Sequence, residues 1–531
     1  MNPTSASKQI ARAAGTVMFA ILLGQLAGLI RGVLVARVFG AAPELDAFFY
    51  ANRVSETLFL LVAGGALGSA FIPTFTGFLA KGDGASAWTL AASLARLVTL
   101  ALSGLAILAA LFAPQIVRYA LAPGFANNPE LFSLTVNLLR IQLISAVLFG
   151  LGGLIVGILN AHQTFLVPAL TPAMYQLGII FGVIFLAPSM GVYGLAWGVV
   201  IGAVFYLLVQ ILPLMKLVQV TRNSQPATCN KILSLGLHNP SVRHVLLLMA
   251  PRLIGVAVVQ VNFWVNAALA SQMDAGSGTA LYYGFSLMLM AQAAIAQSVA
   301  IAAMPTFSAQ HALGQTDALR GSLAASLRGV IFLALPAALG LILLREPLVA
   351  ALYQRGAFDS SDVSLVSWSL LFYAAGLVGH SIMEILTRAF YAQHDTRTPV
   401  VIGTIAMLLN VVFSFGFSQW FANMDLLPLG GLALANSLAT ALEATVLFIV
   451  MRKRLGGIQG GLIARGAGQS VLAALGMGLA LGLLNPLTAS LSRWLVALGG
   501  VCVGGVVYFG LAVVLKIPEV QGLIQFVKRR M

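Results

Sequence analysis

Charged side chains interrupt two long apolar runs near the amino terminus. The stretch 24–76 carries Arg31 near the middle of the first run, a short acidic turn with Asp46, and then Arg53 and Glu56 in the second run. A charge in membrane hydrocarbon costs at least a few kcal/mol, so it normally faces a wet cavity and marks function. Permanent positive charge in such a cavity suits an anionic ligand. Glu56, one helical turn from Arg53, is most simply that arginine's partner inside the membrane.

A second pair of polar residues lies in the carboxy-terminal half. His380 and Glu384 are four residues apart and therefore share one face of a helix. Histidine changes its charge near neutral pH, so the pair suits a proton relay. The alternative is a structural, hydrogen-bonded pair.

The elements that must position these residues are membrane-spanning helices. The 531 residues are 60% hydrophobic and 8% charged, and a soluble chain of this length cannot bury so much apolar surface. Apolar runs of about 20 residues recur along the whole chain, each long enough to cross a hydrocarbon core of about 30 Å as a helix. The runs are continuous rather than alternating, which favours helices. The predicted fold class is an all-α polytopic membrane protein.

Fourteen spans are predicted, and most loops between them are short. The longest loop, 216–243, is basic and divides the chain. We therefore predict an amino-terminal six-helix bundle (1–215), a cytoplasmic basic linker (216–243), a carboxy-terminal six-helix bundle (244–454), and two additional helices with a basic tail (455–531). The predicted spans are 15–38, 46–76, 88–113, 132–159, 166–187, 191–215, 244–271, 280–308, 321–343, 364–391, 399–421, 430–451, 467–487 and 494–515.

Basic residues are distributed unequally between the two sides of the predicted membrane. Cytoplasmic loops of membrane proteins collect Lys and Arg, and the excess here is roughly four to one if the amino terminus is inside. Both termini are therefore predicted in the cytoplasm. The few basic residues of the outer loops are Arg118, Arg345, Arg355 and Arg493.

Composition and motifs exclude several other classes of function. The net charge of +14 does not indicate nucleic acid binding, because the basic residues fall between spans and no aromatic–basic platform accompanies them. The two cysteines are far apart in sequence, so neither a disulfide framework nor a CxxC metal site is indicated. No HExxH, GxSxG or metal-spaced Cys/His cluster occurs, and no cleavable signal peptide is predicted.

The chain also repeats itself. AFIPTFT at 70–76 returns as AAMPTFS at 302–308, and NAHQTFLVPA at 160–169 returns as YAQHDTRTPV at 391–400, at offsets of 232 and 231 residues. Two other matches occur at similar offsets, YGLAWG at 193–198 with GGLALA at 430–435 and APGFANNPE at 122–130 with QRGAFDSSD at 354–362. Any one match is weak, but four in the same order are hard to obtain by chance. Each copy holds six spans, so both begin on the same side of the membrane and are parallel repeats. Two such bundles normally enclose a central cavity and rock about it.

Five stretches of the sequence are similar to those of a known family. They are GLIRGVLVARVFGAAPELDAFF, GALGSAFIPTF, APGFA, ALYQRGAF and RAFYAQHDTRTPV. They resemble the MurJ family of lipid II flippases, within the multidrug/oligosaccharidyl-lipid/polysaccharide exporter superfamily, and the resemblance covers essentially the whole chain. It implies a transporter of the bacterial inner membrane, not an enzyme, that carries an undecaprenyl-diphosphate-linked saccharide by alternating access.

The resemblance also implies a cavity lined by arginines that meet the diphosphate, because the planar guanidinium fork suits phosphate oxygens. Arg31 stands at a family cavity arginine, Asp46 at the family's acid after the first span, and Arg53 at a basic position of the family. Glu56 and Arg252, an arginine that this chain has of its own at the start of the seventh span, complete the predicted cavity set.

This chain departs from the family pattern at several cavity positions. Gln25 and Ser286 stand where the best-known members carry arginine, and Phe59 and Leu60 replace a basic pair. These departures keep open a sibling exporter that carries another lipid-linked oligosaccharide or a drug.

A cation-coupling site is a further implication of the resemblance. Asn266 occupies the place of a sodium-binding acid of the family, His380 and Glu384 resemble a polar–acidic pair that completes the site in some members, and Thr404 is a weaker candidate. One carboxylate is present where two are expected, so coupling to H⁺ is an alternative to Na⁺. No other cofactor is predicted.

The predicted function is a flippase that moves lipid II from the inner to the outer leaflet. The expected partners are the lipid-linked saccharide, the bilayer and, as a further candidate, the cell-wall synthesis machinery. A membrane glycan ligase or transferase is less favoured, because the outer loops are too short to hold acid and base residues. A scaffold is disfavoured because it has no use for charges inside the membrane.

Overall fold

The computed structural model describes residues 3–62, 68–224, 239–484 and 492–521. The chain forms two compact units, Met1–Ala275 (unit 1) and Gly276–Met531 (unit 2). The described residues are helical and contain no strand, which confirms the predicted all-α class. Residues 225–238 of the predicted linker and 522–531 of the predicted basic tail lie outside the described residues.

Unit 1 consists of long helices joined by short turns. A π-helical turn (Val117–Leu121) and a 3₁₀ turn (Pro123–Asn127) precede α6, and a second π turn (Gly182–Leu186) links α7 to α8. The helices are α1 (Pro3–Phe39), α2 (Pro43–Val62), α3 (Gly68–Ala80), α4 (Gly84–Leu111), α5 (Ala113–Ile116), α6 (Pro129–Ala161), α7 (Leu166–Phe181), α8 (Ala187–Met190), α9 (Val192–Ser224) and α10 (Pro240–Ala270).

Unit 2 is built in the same way, and a π turn (Ala293–Gln297) joins its first two helices. The helices are α11 (Ser277–Gln292), α12 (Ser298–Ala312), α13 (Thr316–Leu343), α14 (Arg345–Tyr353), α15 (Ser360–Ala375), α16 (Leu377–Ala392), α17 (Arg397–Asn423), α18 (Leu429–Arg454), α19 (Gly460–Leu484) and α20 (Arg493–Val514).

The spans of the structure correspond to the fourteen that the apolar runs predict. Among the described residues, 11 helical segments are long and apolar enough to cross a membrane, and the bent pair α15–α16 makes up to 12. The other two predicted spans correspond to α10 and to α2 with α3, whose junction at 63–67 lies outside the described residues. Large apolar side chains such as Leu483 (75% exposed) and Val506 (74% exposed) point outward, as expected of surfaces that face lipid.

Side chains at the loop ends satisfy the first backbone N–H groups of several helices. Asn128 accepts from the N–H groups of Glu130 and Leu131 at the start of α6, where Pro129 occupies the first turn. Asp83 accepts from the N–H of Ser86 at the start of α4. Such caps offset the orphan donors of a helix end, so they determine where each span begins.

Glycine allows two helices of unit 1 to pack backbone to backbone. A Cβ added to Gly178 of α7 would lie 2.1 Å from the Cα of Gly202 of α9, and one on Gly198 would lie 3.0 Å from the Cα of Gly182. Small residues at such spacing are the usual means by which membrane helices approach closely. This contact holds α7, which carries one wall of the cleft described below.

The tenth predicted span is bent. α15 and α16 meet at 46° on either side of Gly376. The carbonyl oxygen of Phe372, which the bend releases from the helical ladder, accepts a hydrogen bond from Ser437 Oγ of α18 at 2.7 Å. The bend therefore depends on a side chain of another helix, which places His380 and Glu384 on the short helix α16.

The packing of α10 differs from the division suggested by the repeat. α10 contains the seventh predicted span, which the repeat assigns to the carboxy-terminal bundle, but its contacts with α2 and α3 place it in unit 1. The repeat compares sequences, whereas the units are defined by contact, so the two boundaries need not coincide.

Candidate functional site

Arg53 and Glu56 form an ion pair one turn apart on α2. Arg53 Nη1 lies 3.0 Å from Glu56 Oε2, and the two side chains are 23% and 41% exposed. The guanidinium carbon of Arg53 also lies 4.8 Å from the ring centroid of Phe263 on α10, a cation–π contact. The arginine is thus held between a carboxylate and an aromatic face, and part of the pair stays open to a ligand.

Hydrogen bonds on two sides of α2 fix the position of Arg53. Thr57 Oγ1 lies 2.6 Å from the carbonyl oxygen of Arg53 and 3.2 Å from Gln260 Oε1, and it accepts a hydrogen bond from Trp264 Nε1 at 2.9 Å. On another face, Ser55 Oγ donates to a carbonyl oxygen of α6 at 2.9 Å. α10 and α6 therefore clamp α2 at the turn that carries the ion pair.

Arg31 and Asp46 lie on two different helices of unit 1, α1 and α2. Asp46 is 2% exposed in the first turn of α2, where a negative charge is favoured by the helix dipole. Arg31 is half-buried on α1. Two α1 glycines face α7: a Cβ on Gly24 would lie 3.7 Å from Pro172 Cβ, and one on Gly28 would lie 3.5 Å from Gln176 Nε2.

A cleft of about 480 Å³ opens between α1, α6 and α7, lined by three amide side chains, Gln25, Asn160 and Gln176, and otherwise by apolar residues and glycine. We refer to it as the amide-lined cleft. Gln176 Oε1 is buried and accepts no hydrogen bond from the described residues. In the sequence, Gln25 stands out only as a departure from the family pattern. The other two amides could not be recognised there, because their proximity to Gln25 depends on packing.

Two further predicted residues lie on α10. The side chain of Arg252 lies outside the described part of the structure, although α10 runs through its position. Asn266 Nδ2 donates to Asn262 Oδ1, one turn earlier, at 3.3 Å. Asn266 therefore lies on a polar stripe of α10 that also includes Asn262, which is 2% exposed.

His380 and Glu384 share a face of α16 but have different partners. His380 is 7% exposed, and its Nε2 lies 3.2 Å from Asn436 Oδ1 of α18, which fits a donating ring N–H. Glu384 Oε1 accepts from Arg388 Nε at 3.1 Å and from Arg388 Nη2 at 3.0 Å. The carboxylate that the resemblance assigns to sodium is thus already compensated by a guanidinium, and this donor set does not fit a hard cation, which needs several free oxygens.

Glu443 is a membrane acid that sequence analysis missed. It lies near the middle of α18 and is 8% exposed, and no hydrogen bond or ion pair reaches it from the described residues. It packs beside Gly403 of α17, whose added Cβ would lie 3.0 Å from Glu443 Oε1, next to the predicted residue Thr404. The signal was available, since an acid in the middle of a predicted span marks function by default.

A charge cluster lies on the loop between α16 and α17. Asp395 accepts hydrogen bonds from the N–H and hydroxyl of Thr398 and from Arg454 Nη2, and the Arg454 guanidinium lies over the ring of Phe390. Partial burial raises the pKa of Asp395, but the Thr398 hydrogen bonds and the Arg454 charge outweigh it and hold the pKa at about 2. This cluster joins the ends of α16, α17 and α18.

Comparison with known families gives a match that covers most of the chain. The model of the family described as "Lipid II flippase MurJ" matches residues 35–498. A protein of Burkholderia cenocepacia named "Lipid II flippase MurJ" is 31% identical over 83% of this chain and 84% of its own length. A protein of Vibrio cholerae named "Probable lipid II flippase MurJ" is 30% identical over 84% of each chain.

Solved structures agree with this match. The structure titled "Lipid II flippase MurJ, inward closed conformation" superposes with a TM-score of 0.79 at 25% identity, over 94% of this chain and 98% of that one. An inward-facing multidrug resistance MATE family transporter of the MOP superfamily superposes with a TM-score of 0.63 at 15% identity, over 84% of this chain and 99% of that one. The second likeness shows a shared fold alone.

Proposed function

The chain belongs to the MurJ family, and on that premise we propose that it is a flippase that moves lipid II, a polyprenyl-diphosphate-linked peptidoglycan precursor, from the inner to the outer leaflet. The observation that carries the proposal is the family match over residues 35–498. The charged side chains inside predicted spans support it, because a carrier of an anionic headgroup needs cationic groups at membrane depth. A flippase of this kind moves its substrate without breaking a covalent bond, so no catalytic residues are assigned.

Arg31 and Arg53 bind the diphosphate in this proposal. Each guanidinium supplies a planar set of donors that matches phosphate oxygens and keeps its charge in a low-dielectric site. Glu56 holds the Arg53 guanidinium in place at a distance of 3.0 Å. Asp46 and Arg252 are assigned to the same cavity as neighbouring charges.

Transport proceeds by alternating access between the bundles 1–215 and 244–454. The inward-open state takes the headgroup from the cytoplasmic leaflet while the lipid tail remains in the bilayer, and the outward-open state releases it. The excess of basic residues on one side supports an inner-membrane location with both termini in the cytoplasm.

Resetting of the carrier is coupled to a proton or to the membrane potential. Asn266, His380, Glu384 and Thr404 are the candidate coupling residues, and Arg388 beside Glu384 disfavours direct sodium ligation. One elementary charge that crosses the field gains about 2.3 kcal/mol per 100 mV, enough to bias a two-state carrier. Glu384→Gln is expected to slow flipping while lipid binding persists, and an unchanged flipping rate would discard this role.

Complementation tests the proposed substrate. A rod-shaped bacterium depleted of its own lipid II flippase is supplied with this chain, with Arg31→Ala, or with Arg37→Ala, which removes an exposed arginine at the end of α1. We expect the native chain and Arg37→Ala to restore growth, and Arg31→Ala to fail at equal membrane abundance. Failure of the native chain at good expression contradicts lipid II as substrate, and drug resistance conferred by it favours a sibling exporter.

A further inference from the structure

The amide-lined cleft has the composition of a binding site for an uncharged polar ligand. Its volume of about 480 Å³ is within the range of small-ligand sites, which are largely apolar with a few placed polar groups. Each of its three amide side chains offers both a donor and an acceptor, which is what a sugar hydroxyl or an acetamido group requires. None of the residues that line the cleft is charged, so the site is not built for phosphate.

Gln176 points to a ligand rather than to packing. Its Oε1 is buried without a hydrogen bond from the described residues, and a buried polar atom left unpaired costs free energy. Because Oε1 is shielded from solvent, the amide must turn towards the cleft before a ligand hydroxyl or N–H can satisfy it. Phe165, 41% exposed at the rim, adds an apolar surface on which the face of a sugar ring can rest.

The distance between the cleft and Arg31 suits a substrate in which a sugar is attached directly to a diphosphate. Gly24 and Gly28 face Pro172 and Gln176, so α1 lies along α7 beside the cleft. Arg31 follows Gly24 by seven residues, or about two turns, and therefore lies on the same face about 10 Å further along the helix axis. A sugar attached directly to a diphosphate spans a distance of this order.

We propose that the amide-lined cleft binds the uncharged saccharide of the lipid-linked substrate while Arg31 holds its diphosphate, an inference that rests on the proposed function. Gln176, Asn160 and Gln25 hydrogen-bond the sugar hydroxyl and acetamido groups. The cleft thereby discriminates a glycosylated lipid from the bare polyprenyl diphosphate, which a set of arginines alone cannot do.

Binding of two lipids to the purified full-length protein in nanodiscs tests this inference. The probes are lipid II and undecaprenyl diphosphate, which shares the anionic group but carries no saccharide. The native protein is expected to bind lipid II more tightly. Gln176→Leu is expected to weaken lipid II binding about ten-fold, equivalent to about 1.4 kcal/mol, and to leave undecaprenyl diphosphate binding unchanged.

Two further variants keep the result interpretable. Ala169→Phe fills the cleft without removing an amide, and it should produce the same selective loss even if Gln176→Leu does not fold. Gln219→Leu removes an exposed amide at the far end of α9 and should leave both affinities unchanged. Thermal melting in nanodiscs confirms that each variant is folded.

The outcomes separate the cleft from the proposed function. If the native protein binds lipid II but Gln176→Leu and Ala169→Phe bind it equally well, the cleft proposal is overturned and the flippase assignment stands. An equal loss of both probes in the variants also overturns it, because the saccharide then makes no separate contribution. If the native protein binds neither probe, the proposed function fails, and the cleft proposal fails with it.

Discussion

The ion pair between Glu384 and Arg388 offers a double-mutant cycle that separates a structural role from a coupling role. Arg388→Leu removes the cation and leaves Glu384 without compensation on α16. Glu384→Gln keeps the shape of the acid without its charge, and the double variant removes the charged pair altogether. When both are measured on all four proteins, stability reports the structural role of the pair and flipping rate reports the coupling role of Glu384.

The expected magnitudes follow from the exposure of the pair. The Arg388 and Glu384 side chains are 34% and 16% exposed. Pairs exposed to water contribute about 0.2–1 kcal/mol, whereas removal of one partner of a fully buried pair costs about 3–5 kcal/mol. A partly exposed pair with two hydrogen bonds to one carboxylate oxygen lies between these limits. We expect Arg388→Leu to destabilise the protein by about 2 kcal/mol and Glu384→Gln by about 1 kcal/mol.

Thermal unfolding of the purified variants gives the coupling energy, and reconstituted vesicles give the flipping rate. The double variant should recover about 1 kcal/mol relative to the sum of the single losses, since it leaves no uncompensated charge. Additive losses within about 0.5 kcal/mol would refute the reasoning that the two charges stabilise each other. A double variant that flips lipid II at the native rate would remove Glu384 from the coupling mechanism whatever the stability result.

Three other predictions concern residues away from the proposed substrate contacts. Glu443→Leu should raise the stability of the protein, measured by its melting temperature, by about 1 kcal/mol, because an unpaired buried polar group is replaced by an apolar one of similar size. A lower melting temperature would show that Glu443 has a stabilising partner. Gly376→Ala should lower the stability of the protein by about 1–3 kcal/mol, since the added Cβ would lie 2.4 Å from Ser437 Oγ. The control Gly416→Ala should be neutral or stabilising, because nothing lies within 4 Å of its Cβ. Equal melting temperatures for the two variants would show that the bend tolerates a side chain. The pKa of Asp395 is lowered from 3.8 to about 2, so the stabilisation that Asp395 provides is fully present above pH 3.8 and is lost as the pH falls towards 2. Asp395→Asn should flatten this part of the curve of stability against pH. A variant curve parallel to that of the native protein would exclude Asp395 as the cause of the acid-induced loss.

The number and placement of the spans are predictable from sequence because a single constraint governs them. Hydrocarbon thickness requires about 20 apolar residues per helix, and such runs are visible without knowledge of packing. The bend at Gly376 is different. It depends on Ser437 of α18, which binds the released carbonyl oxygen of Phe372, and no local pattern in the predicted span 364–391 shows that contact.

The contacts of the candidate site are also of two kinds. Those within one helix can be predicted from the sequence, and those between helices cannot. Arg53 and Glu56 are paired because residues three apart on a helix are neighbours, which spacing alone predicts. Glu384 has two neighbours four residues away on its helix, His380 and Arg388, and in the structure it pairs with Arg388, which carries the opposite charge. The partner of His380 is Asn436 on another helix, and the amides of the cleft come from three helices. Contacts between helices cannot be read from one sequence.

The local pairing of membrane charges has a consequence for the proposed transport cycle. Arg53 is compensated by Glu56 at 3.0 Å, so a diphosphate gains a cationic partner only by competing with that carboxylate. The net gain is smaller than that of an isolated arginine, because one charge-assisted hydrogen bond is exchanged for another. A carrier benefits from this exchange: it must bind its cargo on one side and release it on the other, and a site that regains its own partner on release avoids the cost of leaving a bare charge inside the membrane. Because both partners lie on α2, the pair itself does not have to break as helices move, whereas the contact of Arg53 with Phe263 links α2 to α10 and must adjust.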